Sequence, residues 1–247
     1  MPSNAAHQPA PLRQPLPKVP VPKSLERARD RVYSFGEHLA DAITHGLGVV
    51  LSIIGLVVLV VRAALYGDTW HVVACSVFGT TLVLMYTAST LYHSIPLPRA
   101  RGVLRIIDHS LIFFLIAGTY TPFTLVTLHG PWGWSLFGFT WGLAVIGVGL
   151  KIFFTGRYER ISLSVYLLMG WCAIVAVKPL FNRLDTGGLI LLGVGGLTYS
   201  GGVAFYLWER LRYHHAIWHL FVLGGSVLHW LAIYFYVVPG PASLVTH

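Results

Sequence analysis

HHAIWHLFVLGGSVLHWLAIYFYVV, residues 214–238, decides how the rest of the chain is read. As a helix it is long enough to cross a bilayer core, which takes about 20 apolar residues at ~1.5 Å each. Its opening turns nevertheless carry His214, His215 and His219. Imidazole is poorly placed in hydrocarbon, so rings at that position need something to hold.

Six runs of the same kind precede it, roughly at 40–65, 70–94, 106–128, 134–155, 161–180 and 187–208, with the last run covering 215–238. Turn and breaker residues separate them: Tyr66-Gly67-Asp68, Ile95-Pro96-Leu97-Pro98, Gly130-Pro131, Thr155-Gly156, Lys178-Pro179 and Thr186-Gly187-Gly188. Of the 247 residues, 55% are hydrophobic and only 11% charged, against about 25% charged in a soluble domain. The expectation is an all-α integral membrane protein, a seven-transmembrane helix bundle forming one domain over residues 33–240. Residues 1–32 read as a proline-rich, basic, disordered tail without the apolar core of a signal peptide, and 241–247 as a short tail on the other side.

Alternate breaks differ in charge. Arg13, Lys18, Lys23, Arg27, Arg29, Arg31, Arg99, Arg101, Arg105, Lys151, Arg157, Arg160, Arg210 and Arg212 fall on one side, and only Arg62, Lys178 and Arg183 on the other. By the positive-inside rule the N-terminus is cytoplasmic and, with an odd number of spans, the C-terminus outside, in a multi-pass protein of the inner (plasma) membrane. The net charge of +8 is explained by this topology, so no nucleic-acid role is assigned. Cys75 and Cys172 lie in separate apolar runs with no metal-ligand spacing and read as packing residues.

The polar residues of the spans cluster by depth. Glu37, Asp41 and His45 sit where the first span leaves the cytoplasm, and Ser89 and His93 where the second returns. Asp108 opens the third span on that side, and His215 and His219 open the seventh. His215 and His219, Ser89 and His93, and Glu37, Asp41 and His45 all recur at intervals of four, which puts each set on one helix face. Three neutral imidazoles with one open position form a known catalytic zinc arrangement. The ligands expected here are His93, His215 and His219. A zinc ion so held lowers the pKa of its water toward ~7 and polarises a carbonyl. Asp108 would take or steer a proton, Ser89 would hydrogen-bond the water or substrate oxygen, and Glu37, Asp41 and His45 would form a surrounding polar shell.

Other polar residues have plainer readings. His214 is expected to face the headgroups beside Arg212. His109 points about 100° away from Asp108 on a helix and is left out as a ligand. His229 is expected deeper, facing elsewhere, in a buried hydrogen bond. His38, His71 and His129 read as interfacial, and Trp70, Trp132, Trp134 and Trp208 as interface anchors. The glycines of the sixth span, Gly193, Gly195, Gly196, Gly201 and Gly202, suit close helix packing rather than a nucleotide loop.

GEHLADAITHGLG (36–48), ASTLYHSIP (88–96), IDHSLIFFLIAGTYTPF (107–123) and HHAIWHLFVLGGSVLHW (214–230) resemble the haemolysin III branch of the progestin and adipoQ receptor superfamily over about residues 33–240. The resemblance implies seven spans, a cytoplasmic N-terminus and a zinc ion near the cytoplasmic side. It places the family's zinc histidines on His93, His215 and His219, its serine on Ser89 and its aspartate on Asp108. The family's first-helix motif often carries Asn where this chain has Asp41.

The wider superfamily looks like one of membrane hydrolases, with members linked to ceramide amide cleavage. Carried over, the resemblance implies zinc-dependent hydrolysis of a lipid amide or ester entering sideways from the bilayer, or a role in lipid homeostasis. A non-enzymatic receptor or regulator with a structural zinc is the alternative. A pore-forming haemolysin, as the family name suggests, fits less well with seven apolar spans.

Overall fold

Ser34 begins the first helix with a reciprocal cap. Its hydroxyl accepts from the Glu37 amide at 3.3 Å, while Glu37 Oε2 accepts from the Ser34 amide at 2.9 Å, so two otherwise unpaired donors are satisfied at once. Helix α1 then runs from Phe35 to Tyr66. In this computed structural model the described residues are 34–154 and 159–241. The tail expected over 1–32, the break at Thr155-Gly156, and all of the tail over 241–247 except Pro241 lie outside them.

Helix α2 spans Thr69–Ser94 behind an Asp68 cap, and α3 spans Pro98–Pro122. The third helix starts eight residues before the expected span. Pro98 at its first position needs no hydrogen-bond partner for a missing N–H, so helix forms ahead of the apolar run and carries Arg99, Arg101 and Arg105. Pro122 cannot donate to the carbonyl four residues back, and the ladder slips into a π-turn over Phe123–Thr127, closed by the Leu128 amide on Phe123 O at 2.8 Å. Gly130 turns the chain with φ of +112°, where a side chain would be strained, and α4 follows over Pro131–Phe154.

The fifth span is broken. Helix α5 covers Glu159–Gly170, a 3-10 turn covers Cys172–Ala176, and a short α6 covers Val177–Phe181. Helices α7, Thr186–Leu207, and α8, His214–Tyr236, complete seven segments long and apolar enough to cross a membrane. The described residues contain helices and no strands, so the chain is an all-helical, multi-pass membrane protein.

Helix α1 shows how membrane packing inverts the soluble rule. Its buried positions are Glu37, Asp41, His45, Gly48, Ser52, Gly55, Leu59 and Ala63, every third or fourth residue. Leu47, Val50, Ile54, Val57 and Val61 are exposed. Apolar side chains gain nothing by leaving lipid, so the small and polar face turns inward. Helix α1 packs along α2, α2 along α3, α3 along α4, and α7 along α8, with α1 also meeting α8. Leu59, Phe78, Leu82, Tyr86 and Ile233 fill the core between α1, α2 and α8. Two of the expected α7 glycines pack closely: a Cβ at Gly202 would fall 2.6 Å from the Phe221 Cβ and one at Gly195 2.5 Å from the His229 ring, whereas Gly196 and Gly201 have ordinary contacts and Gly193 has open space beside it. At the end of the bundle where α1 begins, buried Lys151 lies 2.8 Å from Glu159 Oε2, and Arg105 reaches Glu159 Oε1 at 3.5 Å, tying α3, α4 and α5 together.

Candidate metal centre

Three helices deliver polar groups to one buried cluster. His93 comes from the last turn of α2, His215 and His219 from the first two turns of α8, and Asp41 and His45 from α1. One nitrogen from each of His93, His215 and His219 lies within 4.8 Å of the others. Ring centroids are 5.1 Å apart for His93–His215, 5.1 Å for His93–His219 and 4.6 Å for His215–His219. Tetrahedral zinc at ~2.0–2.1 Å requires nitrogens roughly 3.4 Å apart, a spacing inside the 4.8 Å limit that these nitrogens share.

Hydrogen bonds set which atoms are presented. His219 Nδ1 lies 3.2 Å from the Asp41 backbone carbonyl, which can only accept, so Nδ1 carries the proton and Nε2 keeps the lone pair. The Thr44 hydroxyl donates to Ala40 O and Asp41 O, and its oxygen lies 3.2 Å from the same Nδ1. Among the described residues, the ring nitrogens of His93 and His45 and both oxygens of Asp41 are buried without a hydrogen bond. Buried polar atoms are rarely left so, because each costs ~1–3 kcal/mol. The residues therefore fit a cation: lone pairs converge, and none of these atoms is engaged in a hydrogen bond.

Beside this cluster is a cavity of ≈ 150 Å³, bounded by residues of α2, α3, α5, α7 and α8 and by His45 of α1. Ser89, Asp108, His215 and His219 line it, whereas His93 does not. The Ser89 side chain is placed against the Asp108 carboxyl, and Asp108 Oδ2 lies 3.5 Å from His109 Nδ1. Most of the remaining wall is apolar, with Leu115, Ile116, Leu163, Leu167 and Val203.

The expected shell residues separate. Asp41 Oδ2 lies 3.3 Å from His93 Nδ1, and the His45 ring stacks on His219 with centroids 3.4 Å apart. Glu37 instead caps α1 and accepts from the Tyr213 amide at 3.3 Å, fixing the turn before α8. His214 does not face the headgroups: it is 2% exposed, with Nδ1 3.2 Å from Phe205 O, because α7 packs over its side of α8. His229 is buried with Nε2 3.2 Å from Leu192 O, yet it lines the same cavity. The advance of 280° from His219 is a lag of about 80°, within one broad concave face. His109 donates from Nδ1 toward Arg105 O at 2.8 Å. His38, read from sequence as interfacial, joins Asp41 and His93 in a second group of ligand atoms within 4.8 Å. Its spacing of three from Asp41 was the available signal.

Fold and site define a class: a seven-span helical membrane protein whose inward-facing histidines and carboxylates share one end of the bundle with an apolar cavity. The chain belongs to the haemolysin III-related family, which residues 33–230 match, a range containing every residue of this cluster. It is 50% identical to Hemolysin-3 of Bacillus cereus over 203 residues, 82% of this chain and 93% of that protein. It is 49% identical over 210 residues to the Hemolysin-3 homolog of Bacillus subtilis (strain 168), 85% of this chain and 99% of that one. With the Monocyte to macrophage differentiation factor of Homo sapiens it shares 30% identity over 219 residues, 85% of this chain and 89% of that protein.

Proposed function

We propose that this protein is a zinc-dependent hydrolase of a lipid amide or ester, acting on substrate that enters sideways from the bilayer of the inner membrane. The observation that carries the reading is the opening of His215, His219, Ser89 and Asp108 onto one largely apolar cavity. An acyl chain fits such walls, and its carbonyl would meet the polar end. Bound by His93, His215 and His219, zinc would polarise that carbonyl and make water nucleophilic near neutral pH.

The chain's own residues do the rest. Asp108, buried beside Ser89, accepts the proton that leaves the attacking water and returns it to the departing amine or alkoxide. Ser89 turns its hydroxyl from Asp108 to the carbonyl oxygen as charge gathers there. Thr44 and the Asp41 carbonyl hold His219 in one tautomer. The apolar wall excludes competing water. The fifth span, least buried of the seven, is the side on which a lipid tail can slip in.

Metal analysis of the purified chain should find about one zinc that survives dialysis against a chelator, and in His215→Ala and His219→Ala that retention should be lost. Ser89→Ala and Asp108→Ala should keep the zinc and release fatty acid from a bacterial lipid pool about 10²–10⁴-fold more slowly. Zinc-free wild type would sink the metal reading. Zinc-loaded protein with no release from any lipid pool would instead favour a regulator with a structural metal. Dye release from sealed vesicles, unaffected by those substitutions, would favour the lytic activity that the names of the Bacillus relatives carry.

A further inference from the structure

Between the three candidate zinc histidines and the end of the bundle where α1 begins lies a second cluster. His38, Asp41 and His93 each offer a ligand atom within 4.8 Å of the other two, with His93 Nδ1 3.3 Å from Asp41 Oδ2. Asp41 is the informative member. Its side chain is buried, 1% exposed, and among the described residues neither oxygen takes part in a hydrogen bond. A carboxylate withdrawn from water with no hydrogen bond and the His93 ring beside it is costly, and a cation is a partner that relieves it.

The two clusters are steps on one line. His38 is nearly one helical turn nearer the start of α1 than Asp41, and less buried. His45, one turn further in, stacks on His219. His93 belongs to both groups. With Nδ1 turned toward Asp41, its Nε2 is left for His215 and His219. A neutral imidazole has one lone pair to give, so His93 serves one cluster at a time. Arg101 stands at the outer end, its Nη2 3.2 Å from His38 Nδ1 and 3.1 Å from Nε2. A guanidinium there occupies the ring and repels an approaching cation.

We propose that His38, Asp41 and His93 form an outer divalent-cation site through which zinc reaches His93, His215 and His219, with Arg101 holding His38 until an ion displaces it. The passage rests on the zinc reading of the inner histidines, whereas the outer site can be examined alone. Once the ion has moved inward, Asp41 remains as the carboxylate that orients His93.

The test uses the full chain in detergent, stripped of metal. In a His215→Ala/His219→Ala background, titration with Zn²⁺ and Co²⁺ should find one ion per chain. Adding Asp41→Asn or His38→Ala should weaken it at least about tenfold, and adding Arg101→Ala should tighten it. No ion in this background, or binding indifferent to Asp41→Asn, overturns the outer site and leaves Asp41 as a support for His93. Should the double variant fail to fold, His219→Gln gives the same titration with a neutral amide in place. With the inner histidines intact, His38→Ala should slow zinc uptake about tenfold in stopped flow without changing the final zinc content. Unchanged uptake overturns the passage. Wild type without zinc, beside a double variant that still binds Co²⁺, would refute the inner centre and the passage while upholding the outer site.

Discussion

Ser226 shows how much one hydroxyl can hold in a membrane interior. Tyr86 donates to its oxygen at 2.8 Å from α2, and the Tyr199 hydroxyl lies 2.7 Å away on α7. Ser226→Ala would strand both phenols, and the expected loss is about 1–2 kcal/mol, read as a lower melting temperature in detergent. Asp68, at the aqueous turn before α2, behaves differently. The hydrogen bond from His71 to its carboxylate holds the Asp68 carboxyl below its usual range. A pKa lowered on folding means that the cap's contribution is present above the ordinary carboxylate value near ~3.9 and is lost as pH falls through the depressed one. Asp68→Ala should cost about 1 kcal/mol at neutral pH, and the difference from wild type should shrink in acid melts. At this scale sequence was an uneven guide. The spacing of four between His215 and His219 was legible, because a helix turns that interval into a shared face. The burial of His214 was not, since it depends on which neighbour covers the other side of α8.

The elements differ in how much of their shape is local. Long apolar runs and their breakers showed seven spans, as the bilayer's thickness fixes their length. The interruption of the fifth span was not legible, because its loose backbone groups are satisfied from another helix. The Tyr120 hydroxyl donates to Gly170 O at 2.7 Å and accepts from the Ala173 amide at 2.9 Å. Two further tethers hold the span: Tyr166 donates to His109 O at 2.7 Å, and Trp171 Nε1 donates to Ser200 Oγ at 3.0 Å. Tyr120→Phe leaves a carbonyl and an amide unpaired in an apolar setting, so a loss of about 2–4 kcal/mol of local stability is expected. Hydrogen exchange should rise over residues 167–176 and stay unchanged in α1 and α2. Under the proposed hydrolase function, loosening this span would also widen the lipid's way in, so fatty-acid release should change together with exchange.

For the whole molecule, the charge asymmetry makes a claim that can be checked directly. With the arginine-rich breaks in the cytoplasm, a reporter active only outside should work when fused after His247 and fail when fused before Met1. The opposite pattern would place the histidine cluster at the outer surface, where zinc would arrive by another route. The bundle also closes on itself. Trp230 Nε1 on α8 donates to Gly55 O on α1 at 3.1 Å, and Arg62 Nη2 reaches Val238 O at 3.4 Å while lying over the Tyr234 ring. At the other end Glu37 holds the Tyr213 amide, where Tyr213 adopts a left-handed conformation with φ of 59°. Among the described residues, the first helix is thus latched along its length to the last. During synthesis, α1 must wait in the bilayer with Glu37, Asp41 and His45 facing no α8, a poor surface to show to lipid. Either the nascent chain is sheltered until α8 leaves the ribosome, or those side chains stay uncharged meanwhile; for a chain cut short before α8, that wait never ends.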